Sequence, residues 1–367
     1  MTDTRSRAAG ALYGLAIGDA LGMPTQSLPR ATIVARYGPM LAAFEPGPPG
    51  HPLAAGLAAG SVTDDTEQAV LLAGLVVERG GQVDAAELAT RLLAWEETMR
   101  ARGSLDLLGP STQRAISALL AGADIDHAGR SGVTNGAAMR ITPVGIATPC
   151  ADLDVLVDRV VDASRVTHNT GVALAGAAAV AAAVSAGVEG AALPEAIRHA
   201  IAAAELAGLR GHWVAAADVA ARIAWATGLV AGLDASAVAE TVYALVGTSL
   251  ATQESVPAAF AVLAACPDDP WRAARLAASL GGDCDTIAAM AGAVSGACHG
   301  ATAFPASARA TVTRVNNLHL DDLADHLLAV RAAAVRPSSG SARAPGSVPA
   351  RPGHGRGTQA LTRSQAP

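Results

Sequence analysis

The spacing of glycines near the two ends of this chain constrains its fold most. Gly10, Gly14, Gly18 and Gly22 recur every four residues, and Ala288, Gly292, Gly296 and Gly300 repeat the pattern. Positions four apart share one face of an α-helix. A face of small residues lets a second helix backbone come close. Flexibility alone would not require so regular a spacing. The composition agrees: 51% of the 367 residues are hydrophobic, but only 3% are aromatic. The apolar content is mostly Ala, Leu and Val, so the core needs close helix approach to reach normal packing density. Helical patterning runs from about residue 8 to about residue 333, and strand-like alternation is scarce. The expected class is all-α.

Longer helices are expected over 84–100, 110–121, 151–163, 171–187, 193–206, 212–231, 234–247, 255–264, 270–280, 286–299, 305–316 and 320–335. The Pro- and Gly-rich segment 29–60 reads as an irregular loop. The uncharged run from Gly171 to Val188 is long enough to raise the question of a membrane span. It is rich in Ala rather than Leu and closely bounded by His168 and Glu189, so a buried core helix is expected. From Arg336 the composition turns to Pro, Ser, Gly, Ala and Arg. Residues 336–367 are therefore expected to form a disordered tail behind a catalytic domain of residues 1–335.

Formal net charge is −6, which argues against nonspecific nucleic-acid or membrane partners. The chain contains no lysine, which reads as compositional bias. Cys150, Cys266, Cys284 and Cys298 show no CxxC spacing. No signal-peptide pattern is evident, so reduced thiols and a cytoplasmic location are expected.

Two acidic clusters carry the chemistry. One is Thr63-Asp64-Asp65-Thr66; the other is Gly281-Gly282-Asp283-Cys284-Asp285-Thr286. Crowded carboxylates repel one another unless a cation lies between them. Carboxylate and hydroxyl oxygens suit hard divalent ions such as Mg²⁺ or Mn²⁺. The first cluster also reads as an ordinary helix start, with Thr63 at the cap and acids in the first turn. The second is harder to explain structurally, because it opens an almost wholly apolar helix where uncompensated charge is costly. Together they predict one metal site, with two ions, built from both ends of the chain.

Three further segments stand out. Gly132 to Arg140, with Asn135 and Gly136, is a small-residue loop whose backbone N–H groups could cradle phosphate. Thr167-His168 precedes the Ala-rich run, where His168 is a substrate contact or a cap. Asp19 is an orienting group or an acceptor for backbone N–H groups.

In order, GALYGLAIGDALGMPTQ (10–26), SVTDDTEQAV (61–70), GVTNGAAMRITPVGI (132–146), VTHNTGVALAGA (166–177) and LGGDCDTIAAMAGAVSGACHG (280–300) resemble the ADP-ribosylglycohydrolase family. The resemblance covers about residues 8–320. It implies a compact orthogonal all-α fold, a binuclear Mg²⁺ centre with Mn²⁺ as an alternative, and hydrolysis of bonds to C1″ of ADP-ribose. Carried over by motif, Thr63, Asp64, Asp65, Asp283, Asp285 and Thr286 are the implied metal ligands. Asp65 and Asp285 are the implied catalytic carboxylates. Gly132, Asn135, Gly136, Met139 and His168 are implied substrate contacts, together with Gln26. An additional catalytic Asp of the nitrogenase-activating members is matched most nearly by Asp106.

Two positions depart from the family pattern. Gln26 stands where many members have Glu, and Gln cannot serve as a base. Cys284 stands where Thr is usual. The implied partner is an ADP-ribosylated protein or a small riboside, handled by a monomer. Alternatives are an N-ribosidase for free nucleosides or nucleotides and a silent ADP-ribose-binding protein.

Overall fold

A computed structural model describes residues 3–105 and 108–335. Its regular elements are helical, and the only β-pairings among the described residues are isolated bridges. The chain is thus all-α, as its periodicity predicts. Asp106 and the segment 336–367 lie outside the described residues.

The fold is organised around two helices, α1 (Thr4–Gly22) and α16 (Cys284–His299). The two glycine stripes meet each other. A Cβ added at Gly14 would lie 2.0 Å from the Gly292 carbonyl oxygen, and one at Gly18 would lie 2.0 Å from the Ala288 oxygen. Contact at that range is backbone on backbone, which no side chain larger than hydrogen permits. At the end of the stripe a Cβ on Gly22 would stand 2.2 Å from the Asp285 Cα. The stripe therefore fixes where the second acidic cluster sits against α1.

Between these helices, in chain order, run α2 (Arg30–Tyr37), α3 (Asp64–Glu78), α4 (Ala85–Ala101), α5 (Pro110–Leu120), α6 (Ile125–Ala128), α7 (Gly136–Arg140) and α8 (Thr142–Ala147). Then follow α9 (Leu153–His168), α10 (Gly171–Glu189), α11 (Leu193–Gly208), α12 (Val219–Leu229), α13 (Ala235–Thr241), α14 (Thr252–Ala265) and α15 (Pro270–Ala277). After α16 come α17 (Ala306–Asn316) and α18 (Leu320–Val335). Helix α10 is long and apolar enough to cross a membrane, and 94% of its apolar window is buried inside the protein. It is a core helix, with Thr170 capping its start by accepting from Ala173 N–H.

Three expectations need correction. The segment 29–60 is not wholly irregular: Pro29 caps α2, whose Arg30 is buried and pairs with Glu240 at 2.6 Å. The helix expected over 212–231 begins only at Val219, where Asp218 caps it by accepting from Ala221 N–H. The helix expected over 234–247 changes at Val242 into a π-helical turn that ends at Gly247, φ 90°. The four cysteines are free thiols and all are buried.

Candidate active site

The two acidic clusters, more than two hundred residues apart in sequence, line one cleft of about 790 Å³. Asp64 comes from the start of α3, and Asp283, Asp285 and Thr286 come from the start of α16. Gln26, Thr134, Asn135, Gly136 and Ser249 add polar groups to the wall, and Met139 lies beside them. Leu105, Leu108, Pro110 and Leu250 supply an aliphatic side. No Arg, His or aromatic side chain is among the described residues that line it.

The first wall is built by side-chain hydrogen bonds. Asp19 of α1 is fully buried and reaches over the N-terminus of α3. It accepts from Thr63 N–H at 3.0 Å, from Thr63 Oγ1 at 2.7 Å, and from the N–H and hydroxyl of Thr66. Thr63 is therefore not the hydroxyl cap that a helix start would suggest, because its O–H donates rather than accepts. Asp19 caps the helix from another element. Burial pushes the Asp19 carboxyl up to about 6 against the pull of those four donors. Sequence reasoning left Asp19's role open between orienter and acceptor, and these contacts make it both.

Asp65 is fully buried and does not line the cleft. Its Oδ2 accepts from Thr63 Oγ1 at 3.3 Å and from Thr286 Oγ1 at 3.2 Å. It ties the two clusters together from behind, and the carboxylates facing the cleft are Asp64, Asp283 and Asp285. Asp64 accepts from the Gln68 amide at 2.9 Å.

The second wall is set by backbone geometry. Gly281 and Gly282 have φ of 93° and 70°, which side chains rarely tolerate. Gly282 is bonded to two successive residues, donating its N–H to Leu28 O and accepting at its carbonyl from Ser27 N–H. Asp283 N–H donates to Thr248 O at 2.7 Å. A Cβ on Gly282 would sit 2.3 Å from that same carbonyl oxygen. Asp283 takes a hydrogen bond from the Asn135 amide at 2.5 Å. Desolvation pushes its carboxyl up to about 6, opposed by that bond and by Thr286. Cys284, the departure inside this motif, turns away from the cleft to Thr25 Oγ1 at 3.3 Å.

Asn135 braces the second wall. Its amide also donates to Ser255 Oγ at 3.0 Å, and its backbone N–H donates to Leu250 O at 2.9 Å. The segment after it is helical from Gly136, so the expected phosphate-cradling loop is shorter than its sequence suggests. Gly132 does not line the cleft. A Cβ there would lie 2.2 Å from Thr167 O, so its glycine serves close packing. His168 is also behind the wall. It is fully buried, with Nε2 3.0 Å from Thr134 Oγ1 and Nδ1 2.7 Å from Thr167 Oγ1. The residue on the cleft surface is Thr134, which the motif reading did not single out.

The donor set fits hard divalent cations. It consists of carboxylates, hydroxyls and an amide, with no imidazole or thiol facing the cleft. The Gln26 amide nitrogen is buried without a hydrogen-bond partner. Turning that amide over would exchange the orphan donor for a carbonyl oxygen, a ligand such ions accept. Among the described residues no three His, Cys, Asp or Glu side chains form a ready-made cage. Hydroxyls, the Gln26 amide and water would have to complete any ligand shell.

The comparisons agree with this architecture. The family model described as ADP-ribosylglycohydrolase matches residues 1–336. The uncharacterized protein YegU of Escherichia coli (strain K12) is 37% identical over 333 residues, covering 89% of this chain and 97% of that protein. An uncharacterized Archaeoglobus fulgidus protein is 35% identical over 291 residues, covering 78% of this chain and 85% of its own length. The ADP-ribosyl-[dinitrogen reductase] glycohydrolase of Rhodospirillum rubrum is 31% identical over 169 residues, 44% of this chain and 51% of its own. A solved structure, an ADP-ribosylglycohydrolase-related protein complex, superposes with a TM-score of 0.66 at 26% identity. The match covers 90% of this chain and all of that one. The chain belongs to the ADP-ribosylglycohydrolase family.

Proposed function

We propose that the cleft is the active site of a divalent-metal-dependent glycohydrolase that cleaves the bond to C1″ of an ADP-ribosyl group or a related riboside. One observation carries this reading: Asp64, Asp283, Asp285 and Thr286 converge in a cleft that no cationic side chain among the described residues lines. A bound Mg²⁺ or Mn²⁺ pair would offset that charge and supply Lewis acidity to a ribose cis-diol.

Each residue then has a task. Asp64 and Asp283, one from each acidic cluster, hold the charge that recruits cations. Asp285 is the carboxylate suited to take a proton from the attacking water. Gln26 contributes an oxygen or a hydrogen bond but no base. Thr63, Thr286 and the buried Asp65 keep the two clusters in register. Backbone and hydroxyl groups at Thr134, Gly136 and Ser249 are the donors available to a diphosphate, and the aliphatic side suits a base. An N-ribosidase acting on free nucleosides would use the same carboxylates without the diphosphate contacts.

The test is a substrate panel of ADP-ribosyl-arginine, ADP-ribosylated protein, NAD and free nucleosides, scored by product release with and without Mg²⁺. Asp285→Ala should abolish turnover and leave the far-UV helix signal intact. Near-wild-type rates in Asp285→Ala would remove that residue from the chemistry. Turnover of nucleosides alone would favour the ribosidase.

A further inference from the structure

Arg140 is fully buried at the end of α7, behind the cleft wall, and the proposed chemistry does not use it. It donates to Gln68 Oε1 at 3.3 Å and to Thr167 Oγ1 at 2.6 Å. Burial lowers its pKa to about 10, partly opposed by Asp64, so the guanidinium stays charged at neutral pH. The nearby His168 is held well below the usual imidazole range by burial and by that positive charge, and is neutral.

A guanidinium can only donate, and that rule propagates in two directions. Toward α3, Gln68 must present its carbonyl oxygen to Arg140, which leaves its NH₂ for Asp64 Oδ2 at 2.9 Å. Toward the cleft, Thr167 Oγ1 accepts from Arg140, so its own proton must go elsewhere. Its acceptors are His168 Nδ1 at 2.7 Å and the more distant Ser164 O at 3.4 Å. The shorter bond makes Nδ1 the acceptor and places the imidazole proton on Nε2. That N–H donates to Thr134 Oγ1 at 3.0 Å. Thr134 Oγ1 then accepts from the ring and does not donate to it, and its hydroxyl proton is left for the cleft that it lines.

We infer that Arg140 is a positioning residue that sets the polarity of both walls, fixing Asp64 through Gln68 and turning Thr134 into a hydrogen-bond donor for an oxygen of the bound ligand through Thr167 and His168. Without the guanidinium, Thr167 can accept from His168 Nδ1–H instead. Nε2 then becomes an acceptor and draws in the Thr134 proton, so the donor to the ligand is lost. The inference rests on the cleft being the ligand site. The histidine tautomer, however, reads it independently of any ligand.

The experiment uses long-range ¹H–¹⁵N spectra of the full chain, with His168 assigned by comparison with His168→Gln, together with calorimetric titration of ADP-ribose in Mg²⁺. Wild type should show the Nε2–H tautomer. Arg140→Met, and Thr167→Val in case Arg140→Met fails to fold, should shift His168 toward Nδ1–H or a mixture. Thr167→Ser should keep the wild-type tautomer. Arg140→Met and Thr134→Val should each weaken ADP-ribose by about tenfold, the scale of one hydrogen bond to a charged group. The double variant should lose little more than Arg140→Met alone, since the Thr134 hydroxyl acts downstream of Arg140. An Nδ1–H tautomer in wild type, an unchanged tautomer in both Arg140→Met and Thr167→Val, or fully additive losses would overturn the inference. Failure of wild type to bind ADP-ribose, with the tautomer results as expected, would instead overturn the functional reading of the cleft.

Discussion

The two walls of the cleft are built by opposite means. The wall carrying Asp64 and Asp65 is held by polar side chains: Asp19, Thr63, Thr66, Gln68 and, beyond them, Arg140. The wall carrying Asp283 and Asp285 is held by backbone: the positive-φ glycines 281 and 282, the bonds to Leu28 and Thr248, and the contact of Gly22 with the Asp285 Cα. Side-chain networks tolerate exchange of one member at a local cost. Backbone contact at about van der Waals distance has no slack, since packed interiors transmit strain. The two acidic clusters should therefore respond differently to small substitutions around them.

The largest effect is expected on the backbone-held wall. Gly22→Ala would put a methyl group 2.2 Å from the Asp285 Cα, and Gly14→Ala would put one 2.0 Å from the Gly292 oxygen. Each should cost about 3 kcal/mol or more, the upper range for overpacking, because the atoms that must move are backbone on both sides. Thermal unfolding checks this. A shift in melting temperature of under a degree in either variant would show that α1 and α16 can slide apart freely.

A smaller loss is expected on the polar wall. Asp19→Asn keeps the shape but replaces one acceptor oxygen with an NH₂ that faces donors already in place at Thr63 and Thr66. The cost should be about 1–3 kcal/mol, with activity reduced through misplacement of Asp64 and Asp65. Stability equal to wild type would mean that these bonds matter less than their number suggests.

Gln26→Glu probes the seam between the walls. The added charge should tighten Mg²⁺ binding, read by calorimetry. If the absence of a base at this position restricts the substrate range, activity on protein-linked ADP-ribose should rise at least about tenfold, equal to about 1.4 kcal/mol of barrier. No change in either quantity would place Gln26 outside the site.

The smallest expected effect involves the thiols. Burial pushes Cys150 and Cys298 up to about 12. At pH 8 the native protein should react with a thiol reagent far more slowly than the urea-unfolded chain, because the thiolate is the reactive form. Rapid labelling of the native protein would show that the helices around α10 and α16 open readily.

The glycine stripes and both acidic clusters were legible because each has a spacing that one structural requirement dictates. Positive charge and hydroxyl direction were not. Nothing in the string Gly136-Ala-Ala-Met-Arg140 tells whether Arg140 turns outward or inward, and it turns fully inward. His168 lies in the expected motif, but its reach ends at Thr134, since whether a side chain or its neighbour reaches the surface depends on tertiary packing. Helix α2 was hidden in a Pro- and Gly-rich segment because its stability comes from tertiary contacts, the Arg30–Glu240 pair and the bond from Arg30 to Ser279 O at 2.8 Å, rather than from propensity. The late start of α12 was hidden for a related reason. The residues from His212 look compatible with a helix, but His212 is bonded to Asn169 and Gly171 across the start of α10.

The central claim is that two distant acidic clusters make one cation-dependent hydrolytic site. The most direct measurement is release of ADP-ribose from ADP-ribosyl-arginine by the full chain after EDTA treatment, followed through a Mg²⁺ titration and repeated with Asp64→Ala and Asp283→Ala. The account predicts negligible turnover without metal, recovery with Mg²⁺ or Mn²⁺, and loss of that recovery when either cluster is altered. Full turnover in metal-free buffer, or recovery that depends on only one of the two clusters, would contradict it.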